Sequence, residues 1–140
     1  MEGYRYSRRQ EVEFRDLDGL GHVNNAVYLS YLESARMGYI REVLGVEEID
    51  AVPVILARTE VDFRAQARYG DVLEVGARIS RVGTKSLHME HEIRAADGRV
   101  VIEALAVLVT FDYERNVSVQ VPDAVREKLQ AYEARSTAPA

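Results

Sequence analysis

One stretch of helical periodicity set among runs of strand periodicity limits this chain more than any other feature. Tyr28, Leu32, Ala35, Tyr39 and Val43 recur at helical spacing, and Leu29, Ile40 and Leu44 widen the stripe. A stripe that wide predicts a helix lying on a sheet, not a coiled-coil seam. Asn24 or Asn25 supplies the N-cap, because an Asn side-chain oxygen accepts from a free first-turn amide. Gly45 is the expected stop in the left-handed conformation. Gly38, inside the helix, predicts a close approach to another backbone.

Strand patterns surround that helix. Residues 4–15 read as a half-buried strand, with Val12 and Phe14 alternating with Glu11, Glu13 and Arg15. Beyond the helix, Ile55, Ala57, Thr59, Val61 and Phe63 form one face of a second strand. Arg58, Glu60, Asp62 and Arg64 form its other face. Leu73, Val75, Ala77 and Ile79 mark a third strand; Leu87, Met89 and Ile93 mark a fourth. Asp97-Gly98 is a hairpin turn. Residues 100–111 are almost continuously apolar, as in a central strand covered on both faces. Pro122 opens a short helix over 123–134, with Val125 and Leu129 as its apolar contacts. The order predicts an α+β chain with a five-stranded, mainly antiparallel sheet. Such a sheet has two open edges, which a second copy of the chain would cover.

Composition narrows the function classes. The 140 residues carry 18 basic and 23 acidic side chains, a net charge of −5, which disfavours a nucleic-acid partner. There is no cysteine, hence no disulfide, thiolate metal site or cysteine nucleophile. No apolar run is long enough to span a bilayer, and the first ten residues lack a signal-peptide block. We expect a single domain over 1–134, a flexible tail over 135–140, and a cytoplasmic location without a membrane partner.

The chemistry is concentrated in residues 16–25. Asp16, Asp18, His22, Asn24 and Asn25 stand just before a helix N-terminus, where free amides carry partial positive charge. Those amides can stabilise an oxyanion, and a carboxylate beside them can act as nucleophile or as base toward water. The same residues are also ordinary loop and cap formers. The apolar residues Tyr28, Leu32, Val61 and Phe63 are core candidates that can also line a pocket. His88 and His91, three apart in a strand opposite Glu residues, face opposite sides and do not form a metal pair.

The run from Phe14 to Leu29, with Leu32-Glu33-Ser34-Ala35-Arg36 after it, resembles the signature of hotdog-fold acyl-CoA thioesterases of the 4-hydroxybenzoyl-CoA thioesterase type. Tyr69-Gly70-Asp71 and Gly83-Thr84-Lys85-Ser86 extend the resemblance over most of the chain. It implies a long central helix wrapped by the sheet, in homodimers or homotetramers, with a thioester site at the subunit interface. It also implies catalytic roles for Asp18, His22, Asn24 and Asn25, with coenzyme A as a substrate moiety and no metal or other cofactor. Asn25 departs from relatives that carry Tyr there. In another branch the catalytic carboxylate lies on the helix, at Glu33; the plain alternative is a Glu33–Arg36 ion pair.

The resemblance assigns Gly83, Thr84, Lys85 and Ser86 to the nucleotide and phosphates, and Arg58, Arg64 and Arg81 can join them, since Arg clamps phosphate with two bonds. Each of these arginines can equally be a solvated face residue paired with Glu60, Asp62 or Glu90. Tyr28, Leu32, Val61 and Phe63 would line the acyl pocket. An acyl-carrier-protein thioesterase or dehydratase on the same fold, and a non-catalytic acyl-CoA-binding module, remain as alternatives.

Overall fold

The computed structural model describes residues 1–46 and 54–136. Its elements are β1 (Tyr6–Glu11), a one-turn 3-10 helix (Phe14–Asp16), α1 (Asn25–Leu44), β2 (Val54–Phe63), β3 (Val72–Val82), β4 (Ser86–Ala95), β5 (Val100–Asp112), β6 (Val117–Ser118) and α2 (Asp123–Ser136). The strands form one antiparallel sheet in the order β1-β3-β4-β5-β2. The two-residue β6, absent from the expected set, adds to β5. α1 lies on this sheet, packed against β3 and β1, and against α2. This is the hotdog arrangement of a long helix wrapped by a sheet.

The helix follows its sequence signals closely. Asn24 is the N-cap, and its side chain accepts from the Ala26 amide at 2.9 Å. Gly45 closes the other end at φ 69°, its amide donating to the Arg41 carbonyl at 3.0 Å. Leu29 departs from the stripe and is 43% exposed, while Tyr31 and Arg36 join the buried side. Gly38 is approached by a side chain rather than a backbone: a Cβ there would collide with the Tyr6 hydroxyl.

Three strand expectations need correction. β1 ends at Glu11, and Phe14 is 77% exposed. The Glu13 amide donates to Asp16 Oδ2 at 3.0 Å, which bends the chain into a turn and takes Phe14 off the strand face. In β2 the register shifts between Leu56 and Arg58, leaving Ala57 as the extra residue. A one-residue bulge moves every side chain before it to the opposite face. Val54 and Leu56, not Ile55 and Ala57, therefore share the inner face with Val61 and Phe63. β5 is not the central strand; β4 is, with β5 between it and the edge strand β2. Its outward residues Leu105, Val107 and Val109 are only half-buried.

The paired strands put their inner side chains in rows. One row reads Val75, Ile93, Ile102 and Phe63; the next reads Ala77, His91, Ala104 and Val61. His91 is thus flanked by alanines, not by Glu residues, and it points inward while His88 points out.

α2 closes one end of the molecule. Leu129 is 1% exposed, Val125 is half-buried, and the helix runs to Ser136, two residues into the expected tail. Residues 137–140 of that tail lie outside the described residues. The Tyr39 hydroxyl of α1 donates to Glu133 Oε1 of α2 at 2.6 Å, and the Ile79 amide of β3 donates to the same oxygen at 3.2 Å. One carboxylate therefore joins helix, helix and sheet. Tyr39→Phe keeps the ring and removes this donor, so stability should fall by about 1–2 kcal/mol, read as a lower urea midpoint at unchanged m. An unchanged midpoint would contradict this role.

Candidate active site

The loop before α1 is held by short antiparallel pairings. Leu17 pairs with Val23, and His22 pairs with Arg68. The Val23 amide donates to the Ala67 carbonyl at 2.9 Å, and the Asn24 amide to the Asp16 carbonyl at 2.9 Å. Buried Val23 and Ala67, with Leu17 packed against them, tie these pairings into the core. The polar residues between them are thereby presented at the helix start.

The two loop carboxylates have different fates. Asp16 is spent on structure: Oδ2 accepts from the Tyr31 hydroxyl at 2.6 Å and from the Glu13 amide at 3.0 Å. Asp18 is exposed, and its Oδ1 accepts from the Leu20 amide at 2.8 Å and the His22 amide at 3.2 Å. Its Oδ2 makes no hydrogen bond with any described residue. The Leu20 and His22 amides hold the Asp18 carboxyl below the usual aspartate range, because they stabilise its ionised form. One oxygen orients the group, and the other has no partner among the described residues.

The helix start is more consumed than the sequence suggests. The Ala26 amide bonds the Asn24 side chain, and the Val27 amide bonds the Asn24 carbonyl at 2.9 Å. Among the described residues, the Asn25 amide remains as the unpaired main-chain donor of the first turn. Asn24 is therefore the capping residue, and Asn25 presents the free N–H.

A cavity of about 640 Å³ opens at this point, lined by Asp18, His22, Asn25, Tyr28, Phe63 and Arg64, with Leu20, Val23, Ala65 and Gln66 completing it. Of the expected acyl-pocket residues, Tyr28 and Phe63 line it, their rings 6.1 Å apart. Leu32 is instead 2% exposed core, and Val61 packs against that core. Gln66 was not foreseen; it sits in a connection without periodicity or motif, so no sequence signal marks it. Arg64 was expected on phosphate grounds; its guanidinium lies 3.5 Å from Asp62 and 3.2 Å from Glu103.

The other phosphate candidates lie elsewhere in the chain. Gly83, Thr84, Lys85 and Ser86 form the β3–β4 turn, and the Gly83 amide donates to the Ser86 carbonyl at 2.7 Å. β3 runs for 11 residues from the cavity end to that turn, a span of about 35 Å at ~3.3 Å per residue. Arg81 lines a different groove, beside α2. Arg58 is bound to Glu60 on the outer face of β2. One copy of the chain does not bring these residues to Asp18. No group of three or more His, Asp or Glu side chains is placed to hold a metal ion among the described residues.

The model of the thioesterase-like superfamily matches residues 12–129. The chain belongs to this superfamily. Its activity is accordingly hydrolysis of thioesters. A thioesterase from Thermus thermophilus, crystallised in complex with coenzyme A and Zn, superposes with a TM-score of 0.86 at 41% identity. The match covers 96% of this chain and 99% of that one. The long-chain acyl-CoA thioesterase FadM of Escherichia coli is 27% identical over 81% of this chain and 89% of its own length. The chloroplastic acyl-acyl carrier protein thioesterase ATL3 of Arabidopsis thaliana is 30% identical over 85% of this chain and 65% of its own length.

Carbon-detected NMR titration should place the Asp18 midpoint below that of an ordinary aspartate. Its lowered pKa contributes stability above the ordinary carboxylate value, and this is lost as pH falls through the folded pKa. A midpoint at or above the ordinary value would contradict the arrangement.

Proposed function

We propose that this thioesterase hydrolyses acyl-CoA, with the Asp18 carboxylate as the reacting group. The observation that carries this is the pairing of a free Asp18 Oδ2 with a free Asn25 amide at one cavity. Asp18 attacks the carbonyl carbon, or takes a proton from the water that does; the Asn25 N–H receives the developing oxyanion. The carbon–sulfur bond then breaks, the thiolate of coenzyme A leaves, and water supplies the oxygen of the free acid. His22 and the Asn25 side chain border the reacting carbonyl, while Asn24 acts through the cap that orients the first turn. Tyr28 and Phe63 line the start of the acyl path.

The phosphates of coenzyme A call for cations. Arg64 is at the cavity, and Lys85 with Ser86 would reach it from a second copy. A second copy also answers the state of β2, an edge strand whose Leu56 and Phe63 are 46% and 48% exposed. Pairing through β2 in a homodimer, or a tetramer of such dimers, would cover them. We place the protein in the cytoplasm; no described helix is long and apolar enough to cross a membrane.

The likeness to the Arabidopsis enzyme favours one second reading, an acyl carrier protein as the thiol donor. The two readings share the reaction and differ in the carrier. Free-thiol release from a panel of acyl-CoAs should show turnover that Asp18→Asn lowers at least about a hundredfold, the scale of a lost general base or nucleophile. Turnover with acyl carrier protein alone would shift the reading to that carrier, and unchanged turnover in the variant would remove Asp18 from its role.

A further inference from the structure

The connection between β3 and β4 departs from an ordinary hairpin turn. Such a turn is often closed by the fourth residue's amide donating to the first residue's carbonyl. From Gly83 to Ser86 that bond is not made among the described residues. The Gly83 amide donates to the Ser86 carbonyl at 2.7 Å, and the Gly83 carbonyl accepts instead from Arg126 Nη2 of α2 at 2.7 Å. Arg126 Nη1 donates to the Val82 carbonyl at 3.3 Å.

The next two carbonyls are also taken by donors from outside the turn. The Val121 amide donates to the Thr84 carbonyl at 2.8 Å, and the Thr110 amide of β5 donates to the Lys85 carbonyl at 2.9 Å. Val121 is 4% exposed and Thr110 1%, so both donors belong to the core. The carbonyls of Val82, Gly83, Thr84 and Lys85 are therefore all held by β5 or by the segment that starts α2.

The donors of the turn are left over. Thr84 and Lys85 are exposed, and their amides have no partner among the described residues. The Lys85 ammonium has no ion pair among them either. With its carbonyls tied back, the turn offers successive N–H groups beside an ammonium, which is the chemistry of an anion site. Arg126 sustains this arrangement. Without it, the Gly83 carbonyl is free to close the ordinary turn with the Ser86 amide, which rotates the peptide units carrying the Thr84 and Lys85 amides.

We propose that Arg126 is a positioning residue for coenzyme A. Through the Val82 and Gly83 carbonyls, α2 holds the β3–β4 turn open, so that the Thr84 and Lys85 amides and the Lys85 ammonium meet a phosphate of coenzyme A. Arg126 itself touches no substrate. The inference rests on the acyl-CoA reading, with the turn serving the Asp18 cavity of a second copy.

The test places one acyl group on two thiols, coenzyme A and pantetheine, which lacks the phosphates and the nucleotide. Arg126→Met should raise KM for the acyl-CoA about tenfold at unchanged kcat, the scale of a lost charge-assisted bond, and leave kcat/KM for the acyl-pantetheine in place. The inhibition constant of free coenzyme A should rise by the same factor. Arg126→Lys keeps one donor for the Gly83 carbonyl and should recover part of the loss. Because both thioesters report on one preparation, a loss of folded protein cancels from their ratio. An equal fall in kcat/KM for both would make Arg126 purely structural and overturn the proposal, as would an unmoved KM and inhibition constant. Lys85→Ala separates this inference from the reading beneath it. If Lys85→Ala raises KM for the acyl-CoA and Arg126→Met does not, the positioning role alone fails. If neither raises it, the placement of the phosphates at this turn fails as well. Absence of hydrolysis with any acyl-CoA would overturn the thioesterase reading, and this inference with it.

Discussion

The functional reading depends on how the main-chain amides between Asp18 and Val27 are shared out. Almost every one has an owner. The Leu20 and His22 amides belong to the Asp18 side chain, the Asn24 amide to Asp16, and the Ala26 and Val27 amides to Asn24. Among the described residues this leaves the Asn25 N–H and one carboxylate oxygen free at the same cavity; the Gly19 amide is also unbonded but does not line it. The same bonds orient Asp18 and favour its ionised form. If the cap were shifted by one residue, a different amide would be free, and the donor would no longer stand beside the carboxylate.

Much of this was legible in the sequence. The helix, its Asn cap and its Gly stop are local chemistry, and the structure follows them. That Asp18 rather than Asp16 is the free carboxylate was not legible from residue types, because it is decided by Tyr31, a turn and a half into α1. The inner face of β2 was misread for a physical reason. Alternation carries phase only until a bulge, and the extra residue at Ala57 leaves no mark in the apolar pattern. Phe14 was misplaced in the same way, by a turn closed through Glu13 and Asp16. Lys85 and Ser86 fit the motif, yet the turn they occupy is at the other end of β3. Distance along a strand is plain from sequence, but only the fold shows which end faces the cavity.

The core is not a uniform apolar filling. Ala77 and Ala104 flank His91 in its row and leave room for the imidazole. Larger residues at those two positions would crowd the imidazole. The interior keeps a neutral histidine, His91, between small residues.

In the proposed reaction a thioester carbonyl meets the Asn25 amide and the free oxygen of Asp18 together. The most direct measurement is a crystal structure with an inert ketone analogue of an acyl-CoA. The analogue's carbonyl carbon should lie against Asp18 Oδ2, with its oxygen at about 2.7–3.1 Å from the Asn25 nitrogen. An analogue bound with that oxygen turned away from Asn25, or seated wholly outside the cavity of Asp18 and His22, would contradict it.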